Sequence, residues 1–456
     1  MKVLLIRPSI RNIAYKINLV KTEPLELEYL YTVAKEEGYD CSIYDEVICK
    51  REIEDVIREY NPDIIGITGY ITHVGLIRDY ARRIKDVLPK SLVIIGGVHA
   101  ERNYKEFYEG NADLIIHSGG VLTFREILQK IRKGTKLTDT KGICYRKTKN
   151  EWVYNELVYI DPNQIPIPDR TFFNENKQHF KYMDFSPCAI LKASYSCPHK
   201  CNFCYCTQLN GGQYTCRSVE SVVEEIEGIH AEYIWIVDDT FYVEKNQIDR
   251  FIELIRQKGI NKKFIVYYRA DFIVKNEELI AALKSIGVFI ILVGIEALDD
   301  SLLKEYDKNS SLQINNQCLE ILKKYDIICT SLFIVDVGAT RKDFKRLHSY
   351  LKKWQLNYST IAVLTPIPGS ANFDRYEDKL ITHNREKWDF MHLVVEPTAM
   401  NRIQFYMEYY KLYVRLAFMN KKLNALNLEY IKQMLLEAKV FVKERAKEFM
   451  GANKGV

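Results

Sequence analysis

Short apolar runs alternate with amphipathic segments over the first 135 residues of the chain. Runs of four or five apolar residues are typical of buried strands, and apolar residues spaced three and four apart are typical of helices. The predicted strands are Val3–Arg7, Cys41–Asp45, Ile64–Thr68, Leu92–Gly96 and Leu114–His117. The predicted helices between them are Pro24–Glu37, Lys50–Tyr60, Val74–Leu88, Tyr104–Tyr108 and Val121–Lys133. Strands that alternate with helices form parallel βαβ units, so residues 1–135 are predicted to form a doubly wound, Rossmann-like or flavodoxin-like sheet.

Small and flexible residues follow several of these strands. Because a doubly wound sheet binds ligands beyond the carboxyl ends of its strands, these residues are candidate cofactor-binding positions. They are Ser9, Thr68, Gly69, Tyr70, Gly96, Gly97 and His99. No G-x-G-x-x-G follows the first strand, so the pattern does not predict a dinucleotide site. A regulatory or purely structural sheet explains the pattern equally well.

A second set of strand–helix repeats begins after residues 136–183, which are rich in proline and predicted to be an extended crossover segment. Residues 184–375 are predicted to form a partial (β/α)6 barrel, whose active site would lie at the carboxyl ends of the strands. The predicted strands are Ala189–Ala193, Tyr233–Val237, Phe264–Arg269, Ile290–Ile295, Cys329–Val335 and Thr360–Thr365. The predicted helices are Val219–Ile229, Lys245–Gln257, Asn276–Ile286, Asp300–Tyr306, Ile314–Tyr325 and Arg341–Lys352.

Residues 376–456 are predicted to be a helical domain with a row of aromatic residues. Aromatic residues at helical spacing usually pack in a core, although here they could also wall off an apolar substrate. The helix predicted at 428–450 is amphipathic and mildly basic. It would lie on the surface, bind a partner helix or contact a membrane peripherally.

Composition narrows the classes of function. The 456 residues include 65 basic and 60 acidic side chains and show no basic stripe, so no nucleic-acid partner is predicted. No apolar run reaches the length of about 18 residues that a membrane span needs. Met1-Lys2 is followed by an apolar run too short for a signal sequence, which predicts a cytoplasmic protein with reduced thiols. The eleven cysteines therefore favour metal binding or catalysis over disulfides.

Three cysteines, Cys197, Cys201 and Cys204, form a C-x3-C-x2-C loop directly after the first strand of the predicted barrel. Three thiolates on one compact loop can hold three irons of a [4Fe–4S] cluster and leave the fourth iron open to a small ligand. Structural zinc usually takes two separated C-x2-C pairs, which makes zinc the less favoured alternative. Cys206 and Cys216 are nearby and are interpreted as bystanders.

This loop, with Phe203 before its last cysteine, resembles the signature of the radical S-adenosylmethionine superfamily. Further stretches are similar to the branch of that superfamily with an N-terminal cobalamin-binding domain. These stretches are IIGGVHA (Ile94–Ala100), WIVDDTF (Trp235–Phe241), YYRADFI (Tyr267–Ile273), LVGIEALDD (Leu292–Asp300) and LTPIPGS (Leu364–Ser370). The resemblance covers roughly residues 1–375 and implies that residues 1–135 bind cobalamin.

The resemblance also implies roles for single residues. Cys197, Cys201 and Cys204 would ligate the cluster, and Phe203 would pack near the adenine of S-adenosylmethionine. The polar parts of that molecule would be contacted by Asp238 or Asp239, Arg269 and Glu296, of which Arg269 and Glu296 are the catalytic candidates. The segment after the first strand lacks the histidine of an Asp-x-His-x-x-Gly motif. The implied cobalamin is therefore base-off and His-off, with Ser9, Thr68, Gly69, Tyr70, Gly96, Gly97 and His99 around it.

The implied function is a cobalamin-dependent radical enzyme that methylates an unactivated carbon or phosphorus of a small molecule, lipid or peptide. It would use a 5′-deoxyadenosyl radical and methylcobalamin, with an electron donor such as flavodoxin or ferredoxin. The alternatives are ring closure, rearrangement or carbon–carbon coupling with the same cofactors, and a radical enzyme that has lost cobalamin. An iron–sulfur sensor or scaffold is the non-enzymatic alternative.

Overall fold

The computed structural model describes residues 1–10, 19–148 and 150–419. Its first sheet confirms the five predicted strands and orders them as in flavodoxin, β2-β1-β3-β4-β5. These strands are parallel. Their bounds are β1 Lys2–Arg7, β2 Asp40–Asp45, β3 Ile64–Ile67, β4 Leu92–Ile95 and β5 Leu114–Ile116. Buried apolar residues cover both faces of the sheet, as the continuous Ile and Val runs of the strands require.

Two further strands correct the prediction of an irregular crossover at 136–183. β6 (Ile143–Thr148) and β7 (Glu151–Tyr154) form an antiparallel hairpin that extends the first sheet beyond β5. The hairpin is held because Ile143 is fully buried and the Trp152 ring stacks on Tyr108 with centroids 4.7 Å apart. The boundaries of the domains stay a prediction.

The second sheet confirms the partial barrel. Its six strands are parallel and follow one another in chain order. They are β8 Cys188–Leu191, β9 Tyr233–Ile236, β10 Lys263–Tyr267, β11 Val288–Glu296, β12 Ile328–Val335 and β13 Tyr358–Val363. Short pairs outside both sheets join Val20–Lys21 to Lys181–Tyr182 and Ser194–Tyr195 to Thr215–Cys216. Aromatic side chains such as Phe185, Tyr233 and Phe289 pack together at the amino ends of the strands, which leaves the carboxyl end open for a site.

Helices cover the outer faces of both sheets. The α-helices are Leu25–Glu36, Ile53–Tyr60, Val74–Val87, Val98–Asn103, Gly120–Lys133, Thr171–Asn176, Val219–Gly228, Lys245–Gln257, Ala270–Lys275, Glu277–Ser285, Asp300–Glu305, Leu312–Lys324, Arg341–Trp354 and Arg402–Met419. The 3₁₀ segments are Ile71–His73, Tyr104–Phe107, Pro162–Gln164, Lys177–His179, Cys206–Gly212, Phe373–Arg375, Glu377–Lys379 and Arg385–Lys387. One predicted helix, Tyr104–Tyr108, is wrong in type and extent. The α-helix here begins directly after β4, at Val98, because Gly97 takes a φ of +98° and turns the chain.

The C-terminal region is helical at Arg402–Met419, whereas residues 376–401 contain only short 3₁₀ turns. Phe405 and Tyr409 of that helix are fully buried, so this part of the aromatic row packs in the core, whereas Phe390 of the same row is 43% exposed. The Tyr409 hydroxyl donates to the carbonyl of Ile361 on β13 at 2.6 Å. The helix predicted at 428–450 lies outside the described residues. Within the described ranges, no helix is long and apolar enough to cross a membrane.

Candidate functional site

The cysteine loop leaves the barrel at the carboxyl end of β8. Asp238, which follows β9, accepts hydrogen bonds from the backbone N–H groups of Ala193 and Ser194 at 2.8 and 3.0 Å. Burial raises the pKa of Asp238 to about 6, and these donors oppose the rise. Asp238 therefore caps the start of the loop. Asp238 and its neighbour Asp239 both line the cavity beside the loop. Asp239 is only half-buried and does not cap the loop, which makes it the better candidate for contacting a cofactor.

The three predicted ligands, Cys197, Cys201 and Cys204, line one cavity of about 400 Å³ at the carboxyl end of the barrel. All three are free thiols. Cys201 is the most buried, and its Sγ accepts from Arg269 Nη1 at 3.6 Å. Cys206 lines the same cavity, and its hydrogen bond to Cys204 lowers the pKa of the Cys204 thiol. The interpretation of Cys206 as a bystander stays a prediction.

The donor set fits an iron–sulfur cluster. Cluster irons are held by Cys thiolates, and each thiolate binds a different iron atom, so the sulfur atoms need not meet at one point. In the part of the chain that the structure describes, no three His, Cys, Asp or Glu side chains converge on a single ion. The loop residues therefore offer the chemistry of a cluster in one compact place.

Two buried cations lie beside the cysteines. Burial raises the pKa of the Cys201 thiol, and the positive charges of Lys308 and Arg269 oppose that rise. Arg269 also donates from Nε to Asp271 Oδ1 at 2.8 Å and from Nη2 to the backbone carbonyl of Lys308. Such cations stabilise the ionised thiolates that a cluster needs, and they suit the carboxylate of S-adenosylmethionine.

Glu296 ends β11 with a φ of +61°, an unusual conformation for a residue with a side chain. Its Oε1 accepts from Lys308 Nζ at 2.7 Å, and both side chains are about nine-tenths buried. The pair fits only because Gly294 has no side chain: a Cβ there would overlap both Glu296 Oε1 and Lys308 Nζ. The catalytic candidates Arg269 and Glu296 thus meet at one wall of the cavity through Lys308.

Sequence reasoning missed Lys308. It is a single lysine in the polar stretch EYDKNSS, with no motif around it. Phe203, which the sequence did single out, lines the cavity and packs edge-to-face on Tyr306 with ring centroids 5.4 Å apart.

The first sheet has a cavity of its own, of about 280 Å³, beyond the carboxyl ends of β3 and β4. Tyr70 and His99 line it, together with Trp388 and Phe390 from the C-terminal region. His99 is buried, with Nε2 3.2 Å from Glu106 Oε2. This edge is the switch point of a flavodoxin-like sheet, where such folds bind ligands.

The remaining candidates of the first sheet build its turns. A Cβ at Gly97 would lie 2.7 Å from Thr68 Oγ1, and a Cβ at Gly69 would lie 2.8 Å from the Cβ of His73. These glycines therefore let the turns after β3 and β4 pack closely against each other, and neither glycine lines the cavity. Gly96 donates its N–H to the carbonyl of Ile67. Ser9 lies apart from this group and donates its N–H to Glu46 Oε2 in a neighbouring cavity.

The two cavities are adjacent. Phe390 lines both the cavity of the barrel and the cavity of the first sheet. Two cofactors, one in each cavity, would therefore face each other across this residue.

The chain matches the family models of the radical SAM superfamily, at residues 191–351, and of the B12 binding domain, at residues 19–128. An uncharacterized methyltransferase of Pyrococcus horikoshii is 27% identical over 85% of this chain and 86% of its own length. The hopanoid C-3 methylase of Methylococcus capsulatus is 25% identical over 90% and 79%. An anaerobic magnesium-protoporphyrin IX monomethyl ester cyclase of Rubrivivax gelatinosus is 23% identical over 88% and 75%.

Solved structures share the fold. The cobalamin-dependent S-adenosylmethionine radical enzyme OxsB aligns with a TM-score of 0.67 at 18% identity, over 82% of this chain. The match spans about half of the OxsB chain, 55%. The radical S-adenosylmethionine methyltransferase TsrM of Kitasatospora setae aligns with a TM-score of 0.66 at 15% identity, over 83% of this chain and 74% of its own.

The cysteine loop, the cavity of the first sheet and both family matches lead to one conclusion. The chain belongs to the radical S-adenosylmethionine superfamily, in the branch with an N-terminal cobalamin-binding domain, and is a radical enzyme whose cofactors are a [4Fe–4S] cluster, S-adenosylmethionine and cobalamin.

Proposed function

We propose that this enzyme transfers a methyl group to an unactivated carbon of a small molecule, lipid or peptide. The observation that carries the proposal is the junction of the two cavities at Phe390. A methyl group can pass directly from one cofactor to a substrate activated by the other only if both reach the same space. The methyltransferases among the relatives support the proposal.

The bound cofactors would supply the reactive groups. The cluster and S-adenosylmethionine would generate a carbon radical, and cobalamin would supply the methyl group. The chain's own residues would hold and orient them. Cys197, Cys201 and Cys204 would hold the cluster, while Arg269 stabilises the Cys201 thiolate by its N–H···S hydrogen bond. Asp239 and Glu296 would accept from the hydroxyl and ammonium donors of S-adenosylmethionine.

In the first sheet, the closely packed turns of Thr68, Gly69 and Gly97 would support the corrin pocket from below, and Tyr70 and His99 would line it. Burial lowers the pKa of His73 to about 4, so this nearby histidine is neutral at physiological pH. The proposed cobalamin stays base-off and His-off. His99 is held by Glu106, and Glu106 is held in turn by Arg385 at 2.7 Å.

The test is anaerobic purification followed by reconstitution with iron, sulfide and hydroxocobalamin. The proposal expects corrin absorption that stays with the protein and, after reduction with S-adenosylmethionine, release of 5′-deoxyadenosine. With S-adenosylmethionine deuterated in its methyl group, the product should gain a CD₃ group. Protein that binds no corrin, or a product of unchanged mass, would refute methyl transfer.

Ring closure is the second candidate, because a relative at 23% identity is a cyclase. The two reactions differ in mass balance: methyl transfer adds CH₂ to the substrate, whereas cyclisation removes hydrogen. Mass spectrometry of the product separates them. Either reaction would need a reduced electron donor such as flavodoxin or ferredoxin, which can be supplied in the same assay.

A further inference from the structure

The barrel cavity has two chemically different halves. The cysteine loop and the ends of β9, β10 and β11 contribute thiols and charged groups, among them Asp239, Arg269 and Glu296. The other half comes from β12, β13 and the residue that follows β13, which contribute Leu332, Ile334, Ala362 and Leu364. Among the described residues that line the cavity, none from β12 or β13 is charged. The charged half suits the cluster and S-adenosylmethionine. The apolar half is therefore left for the substrate.

Phe390 closes this apolar half on the side of the first sheet. Its side chain is 43% exposed, which is unusual for a phenylalanine at the centre of a molecule. Tyr70, 53% exposed, stands with it at the rim of the first-sheet cavity. Two exposed aromatic rings at the junction form an apolar rim through which a substrate would have to pass.

The backbone of Phe390 has a strained conformation. Its φ of +63° lies in the left-handed region, which disfavours residues with a side chain. Hydrogen bonds of Phe390 and its neighbours hold the chain in this conformation. The Phe390 carbonyl accepts from Val363 N–H at 2.7 Å, Asp389 Oδ1 accepts from the N–H of Met391 at 3.0 Å, and the buried Trp388 donates Nε1–H to Pro366 at 3.1 Å. A strained residue fixed on both sides and aimed into a cavity is typical of a functional position.

We infer that Phe390 is a specificity-determining residue, which packs against a neutral hydrocarbon part of the substrate and selects against charge next to the reacting carbon. The inference rests on the proposed function, because it places the substrate between the two cofactors. A charged group in the apolar half would lose its hydration with no charged partner to replace it. Phosphonate-like substrates are therefore disfavoured, and substrates that present an aliphatic or aromatic body are favoured.

The test uses the full-length enzyme loaded with cluster and hydroxocobalamin, and three probes with one carbon skeleton. These are 2-naphthol, decahydro-2-naphthol and naphthalene-2-sulfonate, and their binding is measured by anaerobic isothermal titration calorimetry. The inference expects at least one neutral probe to bind at least about tenfold more tightly than the sulfonate. Preference for the planar or the saturated neutral probe would assign the substrate body to the aromatic or the aliphatic class. Equal or tighter binding of the sulfonate would overturn the inference.

Two substitutions connect binding to the side chain. Phe390→Gly removes the ring and accepts a positive φ without strain, so it should fold while binding the preferred neutral probe about tenfold more weakly. Phe390→Trp should retain the affinity. Ile403→Ala, which truncates an exposed apolar residue on the last described helix, is the matched control and should change nothing. Unchanged probe affinity in Phe390→Gly would overturn the inference.

Failure of the proposed function is visible separately. It would show as missing corrin absorption in the wild type or as a product of unchanged mass, neither of which depends on the probes. Binding of a neutral probe that is lost in Phe390→Gly would then still establish the apolar site.

Discussion

A buried ion cluster joins Glu23 and the helix Leu25–Glu36 to the barrel. Arg170 contacts Glu23 at 3.0 Å, Glu28 at 3.3 Å and Glu225, and it donates to the carbonyl of Ile190 at 3.0 Å. The Arg170 side chain is 7% exposed and the three carboxylates are 0–1% exposed. Because the carboxylates of the cluster are buried, water cannot solvate them. Each negative charge is therefore stabilised by its cationic partner.

Arg170→Met removes the central cation while keeping much of the volume. Breaking a buried ion pair by removing one partner costs about 3–5 kcal/mol, because the remaining charge stays buried and uncompensated. Three carboxylates contact Arg170, and Glu225 alone keeps a second partner, Arg217. We therefore expect the free energy of unfolding to fall by about 4 kcal/mol at neutral pH.

Glu28→Gln should behave in the opposite way. Burial raises the pKa of Glu28 well above its usual range, and the neighbouring charge of Glu23 adds to the rise. Within the described residues, Glu28 Oε1 accepts no hydrogen bond, and Glu23 Oε2 has only the ion-pair contact with Arg170. One proton shared between the two carboxyls would give both oxygens a hydrogen bond. The amide introduced by Glu28→Gln would imitate the protonated acid. It could donate to Glu23 and still accept from Arg170 through its carbonyl.

The sign of the pH dependence follows from the raised pKa. The folded protein keeps the Glu28 proton at pH values where the unfolded chain, with a pKa of about 4.3, has released it. The wild type therefore loses stability as the pH rises from about 4.3 towards the raised folded pKa. Glu28→Gln should abolish this contribution, so its unfolding free energy should depend less on pH and match or exceed that of the wild type at pH 8.

Urea denaturation followed by tryptophan fluorescence measures both effects. With an m-value of about 4 kcal/mol/M for a chain of this size, Arg170→Met should lower the midpoint by about 1 M. Arg82→Met is the matched control, since Arg82 pairs with Asp79 and Asp86 while 57% exposed. It should change stability by no more than about 0.5 kcal/mol. The reasoning is wrong if Arg170→Met resembles this control, or if Glu28→Gln loses as much stability as Arg170→Met.

Three further predictions concern the site. Changing the three ligand cysteines together to alanine should remove the cluster iron, whereas Cys206→Ala should retain it; an iron assay decides, and full iron in the triple variant would refute the ligand assignment. Gly294→Ala should displace the side chain of Glu296 and lower the kcat/KM of S-adenosylmethionine cleavage about 100-fold at unchanged iron content; unchanged cleavage would contradict the role of the Glu296–Lys308 pair. Gly97→Ala should abolish corrin absorption, because the new Cβ meets Thr68, the positive φ is strained and the turns that support the pocket would separate; retained corrin would contradict this role of the turns.

Features that depend on residues close together in the sequence were predictable from the sequence alone. The apolar runs predicted both sheets because parallel strands are buried on both faces and read as continuous Ile, Val and Leu. The cysteine loop was predictable because all three of its ligand candidates lie between Cys197 and Cys204. The hairpin of β6 and β7 was not predictable in this way. Its polar residues, such as Arg146 and Lys147, break the apolar–polar alternation that is typical of a half-buried strand.

Lys308, which sequence reasoning missed, and Phe390, which it marked only as one aromatic residue of the row at 376–456, act through contacts that no local pattern encodes. Lys308 matters because the left-handed turn at Glu296 and the missing side chain of Gly294 make room for its ammonium group. Phe390 matters because Val363 and Pro366, more than twenty positions earlier in the chain, hold its segment across the mouth of the barrel. Nothing in the sequence around these two residues distinguishes them from any other lysine or phenylalanine. Lys308 is marked by its burial beside the strained Glu296, and Phe390 by its own strained backbone beside two cavities. Backbone outliers around a cavity are therefore the places to search for functional residues that lie outside the motifs of this superfamily.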